Sequence, residues 1–352
     1  MKNINIKGGT IFAAKVFVFM FLMVLVIISQ TGCSNKEPVS KTDFCLNTTC
    51  DITVYNISRG DGEEILEEAF NKIREYENIF SRTVEGSDVY NINHAGGNPV
   101  EVSDDTVSVL EDAVYMGKLS GGKFDITIGK ISDMWNFTGE EPKVPENADI
   151  KEALKDVDYT NIEIDGNRVT LKNPKANIDL GGIAKGYIAD RISEFLEDKG
   201  VDKAIINLGG NVAALGEKDE DTPWNIGIER PYSDRTQIIG SVKASDATLV
   251  TSGIYERKFE QNGIVYHHIL DPKTGYPADT DLESVTIKAV KGNSEFCDGL
   301  STVCLMMGKD NAIALIKELQ EKYPDMKLEA AFIDKNDDMV QTDGMNVEII
   351  KE

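Results

Sequence analysis

The chain has 352 residues, 41% hydrophobic and 28% charged, an ordinary globular composition with enough length for one large domain or two smaller ones. Its 37 basic and 60 acidic residues leave a net charge of −23. This argues against nucleic acid as a partner, because phosphate-backbone binding needs clustered cations; a phosphate-bearing substrate would need a metal or a few placed cations. The five cysteines are too scattered for a disulfide scaffold and show no zinc spacing.

At the N-terminus, Lys2 and Lys7 precede an apolar run from Val16 to Ile28. At about 1.5 Å per residue this run is short for a hydrocarbon layer of about 30 Å, and it has the shape of a signal peptide. Ser29 to Asn35 places small residues around Cys33, which resembles a bacterial lipoprotein processing site, with Gln30 where such sites usually carry Leu. The expected organisation is a signal peptide over 1–32, a lipidated Cys33 opening a tether over 33–43, and one domain over 44–352. Acyl chains on Cys33, palmitate among them, would hold that domain outside the cytoplasm on the cell membrane. An uncleaved N-terminal anchor is the alternative.

The mature part opens with a strand-like stretch, Asp51 to Ile57, and a helix over Glu63 to Phe80 with Ile65, Ala69, Ile73, Tyr76 and Phe80 on one face. A second amphipathic helix spans about Asp104 to Ser120 and stops at Gly121-Gly122. Asp165-Gly166-Asn167 has the composition of a hairpin turn between Ile162 and Leu171. Further helices are predicted at Tyr187 to Lys199, Glu295 to Met307 and Asn311 to Lys322. Strands are predicted at Lys203 to Leu208, Gln237 to Val242, Ile264 to Ile269, Ser284 to Ala289 and Glu329 to Ile333. The order is not a regular β-α-β alternation, so the fold class is α+β, with helices packed on largely antiparallel sheet. Cys45 and Cys50 are near enough in sequence to pair, whereas Cys297 and Cys304 look like small core residues.

Several stretches carry chemistry. Asn177 to Tyr187, reading N-I-D-L-G-G-I-A-K-G-Y, is a strand-like entry, a glycine turn and a helix start. Such a turn offers N–H groups and the positive helix end to an anion, or is simply a glycine-rich helix entry. Asn207 to Asn211 ends a strand in two glycines, and Thr251 to Arg257 gathers hydroxyls, a glycine and an arginine. His267 and His268 are adjacent in a predicted strand, so at most one readily serves a given site. Asp298 and Thr302 project from one helix face a turn apart. They are hard oxygen ligands of the kind magnesium takes, or a helix-end carboxylate beside a threonine bonded back to its own helix.

In this order the segments D-L-G-G-I-A-K-G-Y at Asp179, N-L-G-G-N at Asn207, T-S-G-I-Y-E-R at Thr251, H-I-L-D-P-K-T-G at His268 and D-G-L-S-T at Asp298 resemble the ApbE family of flavin transferases. The likeness runs from about Phe44 to Met307 and on toward the C-terminus. Lesser matches are Asn91 to His94, Lys123 to Asp125, and Trp135. The resemblance implies a Mg2+-dependent reaction in which a Thr or Ser hydroxyl of an acceptor flavoprotein attacks the FMN phosphorus of FAD and AMP leaves. It implies Asp298, Thr302 and Ser301 as metal ligands by side chain and Gly182 by its carbonyl. Leu46, Lys123, Phe124, Asp125, Asp179, Lys185 and Ile269 would contact the flavin nucleotide. His268, beside Asp271 in its motif, is the candidate general base, with a metal-bound water as the alternative.

Two departures stand out. The family's M-G-T appears here as Leu46-Asn47-Thr48, and the aromatic residue often following Phe80-Ser81 is replaced by Arg82 and Thr83. The acceptors implied are flavin-carrying subunits of membrane electron-transfer complexes or other exported flavoproteins. The rival activities are an FAD pyrophosphatase giving FMN and AMP, and a non-catalytic flavin-binding lipoprotein. Ser245 to Thr248 weakly resembles a flavin attachment site, so self-modification at Thr248 is a minor expectation.

Overall fold

The computed structural model describes residues 37–233 and 237–350; the expected signal peptide and Cys33 lie outside them. In chain order the elements begin with β1 (Val39–Cys45), β2 (Thr48–Val54), α1 (Arg59–Phe80), α2 (Asp88–His94), β3 (Val100–Glu101), α3 (Asp104–Leu119), α4 (Gly129–Trp135) and α5 (Asn147–Ala153). There follow β4 (Ile162–Asp165), β5 (Arg168–Leu171), α6 (Ala184–Asp198), β6 (Ala204–Leu208), β7 (Asn211–Leu215), β8 (Trp224–Glu229), β9 (Ile238–Ala244) and β10 (Ala247–Gly253). The chain ends with β11 (Lys258–Gln261), β12 (Ile264–His267), β13 (Leu282–Val290), α7 (Ser294–Met307), α8 (Lys309–Lys322), β14 (Glu329–Asp334), β15 (Met339–Gln341) and β16 (Glu348–Ile349).

The α+β expectation holds. An eight-stranded sheet in the order β1-β2-β6-β7-β10-β13-β14-β15 forms the centre, and every neighbouring pair in it is antiparallel. Alternation along β14 shows how both faces are covered. Ala330 and Phe332 join the core under the helices, while Ala331 and Ile333 join a second core with Trp224, Ile228, Ile239 and Val242 of the three-stranded sheet β16-β9-β8. Each large apolar side chain so buried contributes about 1.5–3 kcal/mol. Among the described residues no helix is long and apolar enough to cross a membrane.

Local sequence explains the helix starts. Ser58, Ser87 and Ser103 accept from the N–H groups of Asp61, Tyr90 and Thr106 at 3.2, 3.0 and 3.2 Å, each cap contributing about 1 kcal/mol. The predicted hairpin forms with Gly166 and Asn167 as its loop and Asp165 paired with Arg168. Other elements escape prediction. Residues from Val39 onward, placed by sequence in the tether, form an edge strand zipped to β2 from Val39↔Val54 to Cys45↔Thr48. The stretch predicted from Asp51 therefore starts earlier, at Thr48. Cys45 and Cys50 are both buried and free, as are Cys297 and Cys304.

Candidate active site

The β1–β2 turn, the β6–β7 turn and the final residues of β10 all lie at one end of the large sheet. Leu46 and Asn47 form the first turn with φ of 54° and 55°, the left-handed pair that a two-residue hairpin requires. Leucine is uncommon there, and the conformation costs on the order of 1 kcal/mol. Its N–H donates to Glu77 Oε1 of α1 at 2.9 Å. Gly209 and Gly210 form the second turn at φ 61° and 94°. A Cβ on Gly209 would lie 2.5 Å from Thr48, so glycine lets the two turns abut. Arg257 donates to Asn47 O at 3.2 Å and ties the first turn to the segment after β10.

The glycine turn before α6 is held from outside. Asn93 clamps Ile178, donating to its carbonyl at 3.0 Å and accepting from its N–H at 2.7 Å; this accounts for the short Asn91 to His94 match. Asp179 Oδ1 then accepts from Gly181 N–H at 2.9 Å, while Oδ2 lies 3.5 Å from Arg82 Nε. Arg82 also pairs with Asp133 and donates to Gly129 O at 3.3 Å.

Helices α6 and α7 lock reciprocally. The Asp298 carboxylate of α7 accepts from Gly186 N–H at 3.0 Å in the first turn of α6, and Asp190 of α6 accepts from Glu295 N–H at 3.0 Å in the first turn of α7. Gly186 permits the approach, since a Cβ there would sit 2.3 Å from Ser294 O. Asp298 is thus fixed at 2% exposure, with Oδ1 3.5 Å from Lys185 Nζ. Behind it, Ser301 Oγ donates to Asp298 O at 2.9 Å. Ser252 Oγ of β10 lies 2.7 Å from Ser301 Oγ and 3.1 Å from Thr302 Oγ1.

These elements enclose a cavity of about 860 Å3. Leu46, Lys123, Phe124, Asp125, Asp179, Gly182, Lys185, His268, Ile269, Asp298 and Thr302 all line it. The fully buried Ser301 does not; it supports Thr302 through Ser252. Asp125 reaches the wall, but its carboxylate is spent on the loop, accepting from Thr127 N–H at 2.8 Å, Thr127 Oγ1 at 2.6 Å and Tyr159 N–H at 2.9 Å. Burial raises its pKa against those bonds. Lys123 is turned to donate to Met306 O at 3.3 Å.

The two histidines separate: His267, the last residue of β12, lines a second hollow with Tyr232, Tyr266 and Tyr276, while His268, just past the strand, faces the cavity. Burial first, then the charges of Arg257, His267 and Lys185, push the His268 imidazole down to about 3. It is therefore neutral at physiological pH. Its sequence neighbour Asp271 does not orient it. The Asp271 carboxylate accepts from Lys273 N–H at 2.7 Å inside a turn, and His268 Nδ1 has no hydrogen-bond partner. That turn is steadied from below by Trp135, fully buried, whose Nε1 donates to Gly275 O at 2.8 Å.

Sequence reasoning assigned no role to Ser252, Arg257 or Arg82. The first two sit inside a recognised motif, so their location was available; Arg82 had no signal beyond its departure from the family pattern. Thr248 is wholly buried, 2.6 Å from Ser294 Oγ, which removes it as a modification site.

Comparison with known proteins identifies the family. The sequence profile of the ApbE family matches residues 46–326. A Treponema pallidum protein named FAD:protein FMN transferase is 32% identical over 337 residues, 88% of this chain and 92% of its own. A Klebsiella pneumoniae protein of the same name is 36% identical over 281 residues, 79% and 84% of the two chains. The crystal structure of an ApbE protein from Thermotoga maritima has a TM-score of 0.77 at 34% identity, covering 87% of this chain and 97% of that one. For the flavin transferase ApbE from Vibrio cholerae the TM-score is 0.75 at 26% identity, with 87% and 96% covered. The chain belongs to the ApbE family.

Proposed function

We propose that this protein is an FAD:protein FMN transferase, Mg2+-dependent and tethered outside the cytoplasm through Cys33. The observation that carries the reading is the convergence on one cavity of residues from all five motifs, spanning Asp179 to Thr302, together with Leu46 of the β1–β2 turn. Relatives bearing the transferase name over most of their length support the activity.

The donor set suits magnesium. Asp298 and Thr302 offer hard oxygens one helical turn apart in the cavity that Gly182 also lines, and a single carboxylate leaves the rest of an octahedral shell to water and substrate phosphate. Among the described residues no group of three or more His, Cys, Asp or Glu side chains could hold a metal. When bound, Mg2+ would neutralise charge on the transferring phosphoryl group.

The chain's own residues do the rest. Asp179 and Lys185 flank the glycine turn where the nucleotide phosphates would lie, and Leu46, Phe124 and Ile269 supply apolar contact for the flavin. His268, neutral and with Nδ1 unpaired, accepts the proton of the acceptor's Thr or Ser hydroxyl. The hydroxyl oxygen bonds to the FMN phosphorus, the pyrophosphate P–O bond breaks, and AMP leaves with that electron pair. Incoming phosphates would offset Arg257 and Lys185, two of the charges that depress the imidazole, and so strengthen the base as the substrate binds. Acceptors are flavin-carrying subunits of membrane electron-transfer complexes or other exported flavoproteins. The six residue steps from Cys33 to Val39 span at most about 20 Å, so a lipidated Cys33 would keep the enzyme near the bilayer.

Intact-mass spectrometry of an acceptor domain incubated with the protein, FAD and Mg2+ tests the reading. A gain of one FMN, lost with Asp298→Ala, is expected. An unmodified acceptor with free FMN and AMP would make the protein a pyrophosphatase, and no turnover would make it a carrier.

A further inference from the structure

A carboxylate as buried as Asp298 needs a compensating charge or donor. Oδ2 has a fixed one, the Gly186 N–H at 3.0 Å. Oδ1 has a movable one, Lys185 Nζ at 3.5 Å, well beyond the roughly 2.7–2.9 Å of a tight charge-assisted hydrogen bond. The lysine side chain is 22% exposed against 3% for the aspartate, hangs on a flexible four-carbon stem and lines the cavity.

An ammonium and a divalent cation cannot both occupy the approach to Oδ1. A magnesium ion bound there would lie about 2.1 Å from the oxygen, close enough to repel the ammonium strongly in a low-dielectric wall. Lys185 is the second residue of α6, so its displaced ammonium stays within reach of the same cavity. The compatible partner there is an anion.

We propose that Lys185 is an exchangeable counter-ion. In the nucleotide-free protein it neutralises Asp298; when a divalent cation takes Asp298, the ammonium passes to the substrate's pyrophosphate, so that metal and nucleotide bind cooperatively. This rests on Asp298 being the metal ligand, as proposed above. Lys185 is a positioning residue in this exchange, and no bond is made or broken at it. Linkage makes the coupling reciprocal, so each ligand raises the affinity of the other by the same factor.

Titration of the full-length chain with Mn2+, with free Mn2+ read by electron paramagnetic resonance, tests the exchange with and without ADP as a pyrophosphate-bearing probe. Lys185→Met should bind Mn2+ about fivefold or more tightly than wild type without nucleotide, and should lose most of the ADP-dependent gain that wild type shows. Lys185→Arg, which keeps the charge, should follow wild type. Thermal melting gives a second readout: Lys185→Met should melt below wild type in chelator and recover more of its Tm when Mn2+ is added. Mn2+ binding by a cooperatively melting Lys185→Met no tighter than wild type, with Asp298→Asn defective, would overturn the exchange and leave the metal site standing. Asp298→Asn binding Mn2+ as wild type does would overturn both.

Discussion

The Gly186 N–H and the Asp298 carboxylate, 112 positions apart in the chain, meet at 3.0 Å, so the start of one helix holds the candidate metal ligand carried by another. With Asp190 capping α7 in return, neither helix can slide without breaking a buried hydrogen bond. Gly186→Ala would place a methyl 2.3 Å from Ser294 O and force the helices apart. Overpacking of this kind costs about 1–3 kcal/mol, or roughly 1–5 °C in Tm for a domain of this size. Calorimetry should show that loss, and FMN transfer should fall further than stability alone explains, because Asp298 loses its fixed partner.

Thr302 lines the cavity and Ser301 does not, so their substitutions should separate. Thr302→Val is expected to raise the Mg2+ concentration for half-maximal transfer by about tenfold or more. Ser301→Ala, which removes the hydrogen bonds to Ser252 and to Asp298 O but no cavity-lining oxygen, should shift it less. A metal titration of initial rate checks the order.

Both cavity-facing and outward histidines are held neutral, His267 at about 4 and His268 at about 3, burial being the first cause in each. An unfolded histidine titrates near 6.5. Between pH 6.5 and 4 the unfolded chain therefore binds more protons than the folded one, and stability falls as pH falls, by up to about 1.4 kcal/mol per pH unit for each group. Denaturant unfolding at pH 7, 6 and 5 should show this slope. His267→Gln should make it shallower without touching the cavity.

Leu46 holds φ 54° in a conformation suited to glycine. Leu46→Gly removes that strain and leaves the β1–β2 turn intact, which offsets the loss of a partly buried side chain packed on the core, so Tm should change little. It also removes an apolar wall of the cavity. Steady-state kinetics should show a severalfold higher KM for FAD with kcat little changed.

Much of the site was legible because its chemistry sits in short, ordered motifs: the glycine turn at Gly181-Gly182, the Asp298 helix, the His267-His268 strand. Helices with a clear apolar stripe, such as α1 and α3, were equally plain. What escaped depends on contacts across long sequence distances. Strand β9 was predicted, but β8 was not, and both pack on a second core shared with β14 that no local pattern announces. Asp125 has the right type and place for a ligand contact, yet Thr127 and Tyr159 take its oxygens. Asp271 stands three residues from His268 but turns its carboxylate onto Lys273 N–H. Sequence adjacency gives proximity of backbones, and side-chain direction follows from the turn.

The order of strands has a consequence for how the chain reaches its native state. Strand β2 pairs with β1 at once through a two-residue turn, but its other neighbour, β6, is distant: Cys50 lies opposite Leu208, 158 positions later. Closing so long a loop is entropically costly, and non-local pairings of this kind slow folding. Until β6 is available, the hairpin carries an open edge able to pair with a neighbouring copy. A chain synthesised N-terminus first would therefore expose the turn bearing Leu46 early and complete the cavity only near the end of its synthesis.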